Sequence, residues 1–227
     1  MGCSSLQLTQ ALDTANLVLK QNINNIQWLN NKYKALMAFG WYSIDKQDYK
    51  QSIQFYLTSI TTLNILLQHS PDSLSLQHFL QESQNQIAFA YLLNNSTQKA
   101  EEYANKAVQN GINLHLRAPK NPVYYRALAY SYSTLGDIYT QTSKTTQANS
   151  FYQKGLAISK QIVSWSPENP SLKNDLAVDT MNVALLFKEK GDLKSAQGYW
   201  LEAEHILESL ILTLLDITAQ FMQHKKF

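Results

Sequence analysis

Small residues and prolines recur along this chain at a fixed interval of 48 residues. One set of small residues keeps this spacing: Ser52, Ala100, Ala148 and Ala196. Three prolines keep the same spacing: Pro71, Pro119 and Pro167. A fixed period of this length is the sequence signature of stacked structural repeats. The period therefore predicts that one supersecondary unit is used several times.

The stretch from Leu172 to Leu207 indicates what that unit is. Apolar residues recur at helical spacing on both sides of Gly191, and a glycine there is typical of a turn between two helices. Ala184 and Ala196 lie where the two helices must touch, because helix axes approach to about 8 Å only where side chains are small. The unit is therefore predicted to be an antiparallel pair of helices.

The same pattern divides the whole chain into segments. We predict a leading half-repeat or cap helix at 4–24, since its residues match the second half of a repeat. Four repeats follow, at 26–70, 74–118, 122–166 and 170–208. The next proline of the series is absent, because Leu215 occupies its position, and no glycine or proline occurs from Trp200 onwards. The last helix is therefore predicted to run unbroken to about Gln223, with 209–227 as its extension.

Composition limits the class of protein. Hydrophobic residues make up 44% and charged residues 16% of the chain, which is typical of a folded protein rather than a disordered one. The net charge is +2, and the basic and acidic residues are interspersed without a block of like charges. We therefore expect neither a nucleic-acid partner nor an anionic membrane surface as a partner.

The single cysteine, Cys3, excludes an internal disulfide and a cysteine-based zinc site. No signal-peptide pattern and no stretch apolar enough to span a bilayer are present, which favours a cytoplasmic location. A periplasmic or lipid-anchored location is the alternative if Cys3 is the first residue of a mature lipoprotein.

No group of residues has a spacing typical of catalysis. The chain lacks a Gly-rich phosphate loop, a nucleophile elbow and an H-E-x-x-H zinc motif. Its five histidines show no metal-binding pattern, and we predict that they lie on the surface or at helix ends. We therefore expect a protein that is not an enzyme and binds no metal or cofactor.

The small residues resemble those of the tetratricopeptide repeat (TPR) family, in a long-helix form with a 48-residue period. In that family a small residue on the first helix faces a small residue on the second. The first position is filled here by Gly40, Ala88, Gly136 and Ala184. Ser43 and Ala104 depart from the pattern, since the family usually has a large residue there. The resemblance implies an all-α fold, a right-handed α-solenoid of antiparallel helix pairs.

The resemblance also implies a binding groove on the concave face. Family ligands contact the residues three before and one after the first small position. Here those residues are Met37, Trp41, Asn85, Phe89, Ser133, Asp137, Met181 and Leu185. Most are apolar, so we predict a groove for an amphipathic helix or an extended apolar segment of a partner protein. The alternatives are that the chain's own last helix fills the groove, or that Trp41 and Phe89 pack on each other.

The extension of the last helix carries apolar residues on two neighbouring faces, and one adjacent helix cannot cover both. We therefore predict an exposed apolar surface that forms a homodimer or recruits a further segment. Its predicted residues are Leu210, Ile211, Leu214, Leu215 and Phe221.

These features predict a non-catalytic scaffold or adaptor that binds a protein or peptide partner. One alternative is a regulatory or sensor region of a larger signalling enzyme, such as a protease, a kinase or a nucleotide-binding protein, since arrays resembling this one flank such domains. The other alternative is a lipid-anchored assembly factor.

Overall fold

A computed structural model describes residues 5–22 and 24–224, with the backbone alone for 5–8, 213 and 216–224. Within these residues the chain is helical and contains no strand. The described helices are α1 (Ser5–Gln21), α2 (Ile26–Asp45), α3 (Tyr49–His69), α4 (Leu74–Leu93), α5 (Thr97–Arg117), α6 (Pro122–Gln141), α7 (Thr145–Trp165), α8 (Pro170–Glu189) and α9 (Leu193–His224). This arrangement confirms the predicted all-α fold class.

The helices follow one another as antiparallel pairs, in which a helix of 20 residues precedes one of 21 residues until α9, which has 32. Helix α9 runs without a break from Leu193 to His224. Described residues up to Ala127 form one compact unit, and those from Leu128 form a second. The boundary between the units falls within α6. No described helix is long and apolar enough to cross a membrane.

The four small residues of the second helices lie at the closest helix contacts. Ser52, Ala100, Ala148 and Ala196 are all completely buried. The Ser52 hydroxyl donates a hydrogen bond of 2.9 Å to the carbonyl oxygen of Gly40 on the preceding helix. A larger side chain at any of these positions would force the two helices apart.

Tyrosine rings lie directly on the backbone of the first helix where that helix carries glycine. A Cβ atom on Gly40 would lie 2.3 Å from Cε1 of Tyr56, and one on Gly136 would lie 2.4 Å from Cδ1 of Tyr152. The corresponding places in the second pair hold Ala88 and Ala104, both completely buried. In this pair Ala104, which departs from the family pattern, takes the place of the tyrosine, and the first helix carries Ala88 instead of a glycine.

A stacked aromatic pair joins the two helices of each repeat. In the later repeats these pairs are Tyr91–Tyr103, Tyr139–Phe151 and Phe187–Tyr199, with ring centroids 5.7, 5.4 and 5.5 Å apart. The first repeat has Ser43 in the place of Tyr91, and Phe55 stacks instead on Phe39, one turn earlier, at 5.1 Å. Phe39 therefore restores the contact that Ser43 does not make.

The turn between the helices of each repeat has one geometry in all four places. In the first, the N–H of Gln47 donates to the carbonyl of Ile44 and the N–H of Asp48 donates to that of Ser43, both at 2.8 Å. This is the Schellman arrangement, whose central residue has a left-handed backbone. The central residues, with their φ angles, are Gln47 (59°), Asn95 (57°), Ser143 (57°) and Gly191 (79°).

The residue after the centre of this turn begins the next helix. Asp48 is the N-cap of α3, and its carboxylate accepts a hydrogen bond of 3.1 Å from the N–H of Gln51. Gln47 completes the turn that ends α2, and Asp48 directly caps α3. The connection between the two helices is therefore short and has a fixed geometry.

Replacing Gly40 with alanine is expected to lower the free energy of unfolding by about 1–3 kcal/mol, because the new methyl group overlaps the Tyr56 ring. In a Tyr56→Ala background the same change should be neutral or stabilising, as for an ordinary helical glycine. Gly198→Ala is the control, since its Cβ meets nothing within 4 Å and should stabilise by up to about 1 kcal/mol. Urea denaturation of wild type, the three single variants and the Gly40→Ala/Tyr56→Ala double variant gives the free energies of unfolding. A destabilising effect of Gly40→Ala that persists without the tyrosine would contradict this packing.

Gln47→Gly is expected to stabilise the protein by up to about 1 kcal/mol, because glycine adopts the left-handed backbone without the steric cost that glutamine incurs. Gly191→Ala should destabilise by a similar amount for the same reason. Gln47→Ala serves as the control, since alanine retains the steric cost. Thermal midpoints are measured by circular dichroism, and we expect Gln47→Gly to raise the midpoint and Gly191→Ala to lower it. A shift in the same direction for both variants would exclude a shared turn geometry.

Candidate functional site

The predicted groove residues of the first unit differ in their access to solvent. Trp41 on α2 is 44% exposed, whereas Met37, one turn earlier, and Phe89 on α4 are half-buried. Asn85 is buried. Met37 packs against the core cluster of this unit, and its sulfur accepts a hydrogen bond of 3.2 Å from the Ser83 hydroxyl. Trp41 is therefore the side chain of this set that is most available to a partner.

The second unit carries an exposed apolar stripe on α8. Met181 and Leu185, both predicted groove residues, are 39% and 45% exposed, and Val178 beside them is 47% exposed. Their spacing of three and four residues places them on one face of the helix. Val178 was not predicted, because the family pattern points to only two positions on each helix. The sequence signal for it is the apolar spacing of Val178, Met181 and Leu185, which forms a stripe separate from the buried apolar residues of α8.

The other predicted residues of this unit point into a buried polar network. Ser133 on α6 is buried, and its hydroxyl donates a hydrogen bond of 2.7 Å to Oδ1 of Asp179 on α8. The hydroxyl of Ser159 on α7 donates one of 2.5 Å to Oδ2 of the same carboxylate. Asp137 on α6 accepts a hydrogen bond of 2.6 Å from the Tyr152 hydroxyl. Asp179 thus connects three helices, and neither Ser133 nor Asp137 is a freely accessible contact residue.

Both carboxylates lie in surroundings that disfavour their charge. Burial raises the pKa of Asp137 to about 6; the hydrogen bond from Tyr152 partly opposes this, and the nearby charge of Asp179 adds to it. Burial also raises the pKa of Asp179, against the hydrogen bonds from Ser159 and Ser133. The donors in this network are neutral hydroxyls, so the cost of burying the two charges is only partly offset.

The prediction that the histidines lie on the surface or at helix ends is wrong for His78. This residue is buried within α4, with its ring centroid 5.2 Å from that of Tyr124 and its Nε2 atom 3.5 Å from a carboxylate oxygen of Glu82. Burial lowers the pKa of His78, which favours the neutral imidazole at pH 7. As a flat neutral ring, it packs among aromatic side chains. Among the described residues, no group of acidic, histidine or cysteine side chains is placed to hold a metal ion.

The predicted apolar surface of the last helix is exposed at three of the four positions whose side chains are described. Ile211 and Leu215 are 57% and 60% exposed, Leu214 is also exposed, and Leu210 is half-buried. The side chain of Phe221 and the whole of Cys3 lie outside the described residues.

No protein-family model and no curated protein sequence matches this chain. Solved structures do resemble it. The crystal structure of BtubC (BKLC) from P. vanneervenii has a TM-score of 0.53 at 14% identity and covers 90% of each chain. The crystal structure of MamA has a TM-score of 0.51 at 18% identity and covers 89% of this chain and 90% of MamA.

The apo form of RapI has a TM-score of 0.63 at 17% identity over 96% of this chain, which spans 56% of the length of RapI. At these identities the likeness concerns the fold alone. The chain therefore has the TPR-like fold, an all-α solenoid of helix pairs.

Stability is expected to decrease as the pH rises through the range in which Asp137 ionises. Its pKa of about 6 in the folded protein lies above the ordinary value of 3.8, so folding disfavours the charged form. The stabilising contribution of the protonated carboxyl is complete below about pH 4 and is lost by about pH 6. Asp137→Asn should therefore raise the free energy of unfolding at pH 7 by about 1–3 kcal/mol and flatten the profile between these values.

The measurement is the thermal midpoint of wild type and variant from pH 4 to pH 8. Asp13→Asn is the matched control, because Asp13 is exposed and its substitution should leave the profile unchanged. If the thermal midpoints of wild type and Asp137→Asn differ by the same amount at every pH, ionisation of Asp137 does not lower the stability of the folded protein.

Proposed function

We propose that this chain is a non-catalytic scaffold that binds a helix or an extended apolar segment of a partner protein on its first helices. The observation that carries the proposal is the apolar surface on α8, where Val178, Met181 and Leu185 are all exposed. Contiguous apolar surface of this kind marks interaction sites on soluble proteins. The TPR-like fold supports the proposal because stacked helix pairs present extended binding surfaces.

The chemistry of the exposed side chains defines the partner segment. An amphipathic helix presents anchors at intervals of three, four and seven residues, which match the spacing of the α8 stripe. In the other unit, we propose Trp41 on α2 as a separate anchor, because large aromatic residues commonly dominate binding energy. We propose a partner segment with leucine-like or aromatic anchors on one face.

Ser133 and Asp137 have a different role in this proposal. Since their side chains bond to Asp179 and Tyr152, they position α6 against α7 and α8 rather than touching the partner. Asn85 is buried, so we likewise do not propose it as a contact residue. The contact residues we propose are therefore Trp41, Met181 and Leu185, with Met37 and Phe89 at the margin.

We also propose that the repeating unit is the helix pair with a period of 48 residues, with the four repeats at 26–70, 74–118, 122–166 and 170–208. In support, the first helices begin at Ile26, Leu74, Pro122 and Pro170, and the second helices begin at Tyr49, Thr97, Thr145 and Leu193. Each start lies 48 residues after the previous one of its kind.

Trp41→Ala and Leu185→Ala are each expected to weaken binding of the partner by about 2 kcal/mol or more, because anchors in a desolvated contact dominate affinity. Both residues are exposed, so the thermal midpoint should change little. Phe89→Ala should lower both affinity and stability, because Phe89 is half-buried. Leu116→Ala on α5 is the control, since this leucine is exposed but lies on a second helix.

The partner itself is identified by placing a photo-reactive amino acid at position 41 or 185 in cells of the native host, with position 116 as the background. Proteins cross-linked at 41 or 185 and absent at 116 are then purified, and their affinities for wild type and variants are measured by calorimetry. Normal binding by both Trp41→Ala and Leu185→Ala would refute the proposed surface.

A further inference from the structure

Two methionines hold the same predicted groove position on different helices, Met37 on α2 and Met181 on α8. Met181 is 39% exposed, whereas Met37 is half-buried and packs against the core cluster of its own unit. The sulfur of Met37 also accepts the hydrogen bond from the Ser83 hydroxyl, which engages one of its lone pairs. The thioether of Met181 is therefore open to small reagents in solution, and that of Met37 is covered.

Met181 lies in the middle of the α8 stripe. Val178, three residues before it, and Leu185, four residues after it, are 47% and 45% exposed. Both neighbours have hydrocarbon side chains, so the sulfur of Met181 is the one side-chain heteroatom of the stripe. Oxidation of a methionine sulfur to the sulfoxide converts a flexible apolar side chain into a polar one. A change at this one atom therefore alters the chemical character of the whole stripe.

We propose that Met181 is a reversible oxidation site that determines whether the α8 stripe can bind its partner segment, an inference that rests on the proposed function. The oxidant is a peroxide. A sulfur lone pair attacks one peroxide oxygen, the O–O bond breaks, and hydrogen peroxide yields the sulfoxide and one molecule of water. The sulfur loses two electrons and the peroxide gains two. A methionine sulfoxide reductase reverses the step with electrons from thiols.

The added oxygen acts on binding rather than on the fold. In the free chain the sulfoxide is hydrated, because the side chain of Met181 is exposed. Against the apolar anchors of a partner it would lose that water without gaining a hydrogen-bond donor, and burying a polar acceptor in this way is unfavourable. We expect oxidation to weaken the affinity for the partner by about tenfold or more.

The first experiment measures the oxidation site itself and needs no partner. The purified full chain with Cys3→Ser is treated with dilute hydrogen peroxide, while circular dichroism confirms that it stays folded. Tryptic peptides 35–46 and 174–188 carry one methionine each, Met37 and Met181, and mass spectrometry gives the rate of oxygen addition to each. We expect Met181 to be oxidised several-fold faster in the folded chain, and both to be oxidised equally fast in urea. Equal rates in the folded chain would overturn the proposal.

The second experiment measures the effect on binding. A chain with a photo-reactive amino acid at position 185 is oxidised, freed of peroxide with catalase and irradiated in an extract of the native host. We expect oxidation to remove most of the cross-linked product and reductase treatment to restore it. In Met181→Leu the product should be the same before and after peroxide, because leucine keeps the stripe apolar and has no sulfur. Met37→Leu is the matched control in the other unit, and it should remain as sensitive to peroxide as wild type.

The outcomes separate this inference from the function on which it rests. If oxidation of Met181 leaves the product at position 185 unchanged, or if Met181→Leu loses the product equally, the oxidation site is overturned and the proposed contact surface stands. If position 185 gives no product above the background at position 116 even before oxidation, the proposed surface is overturned, and the inference falls with it.

Discussion

The close approach of the two helices within each repeat is the constraint on which the rest of the structure depends. Helices can meet this closely only where side chains are very small, and Ser52 and its counterparts in the other repeats are completely buried there. The tyrosine ring over Gly40 and the stacked aromatic pairs beside it then fill the remaining space on either side of the contact. Because the contact lies close to the turn, the connecting segment is short and its central residue must adopt a left-handed backbone.

The interior that this contact creates is not uniformly apolar. In the second unit, the carboxylate of Asp179 receives hydroxyl hydrogen bonds from two neighbouring helices, and Asp137 receives one from Tyr152. Replacing such groups with apolar residues often preserves or increases stability, so buried polar networks are a costly way to hold helices together. In return, hydrogen bonds have defined directions, and they set the register of α6, α7 and α8 more specifically than apolar packing does.

The exposed apolar surfaces of α8 and α9 differ in origin. The stripe on α8 is formed by side chains of a helix that is otherwise well covered, and it suits a segment laid along that helix. The surface of α9 arises because the helix is longer than the one beside it, and glutamates border it on one side. Under the proposed function, the α8 stripe accepts partner segments with suitably spaced anchors.

Much of the fold could be predicted from the sequence, because periodic small residues, prolines at helix starts and the long uninterrupted last helix are local patterns with local physical causes. The tertiary structure decided which residues of those patterns are exposed to solvent. Met181 and Ser133 lie 48 residues apart on α8 and α6, yet Met181 is exposed, whereas Ser133 is buried against Asp179, a residue 46 positions away in the chain. His78 and Phe39 likewise take their roles from distant neighbours. Periodicity determines which face of a helix a side chain occupies, whereas burial and charge depend on what a sequence-distant helix places opposite that face.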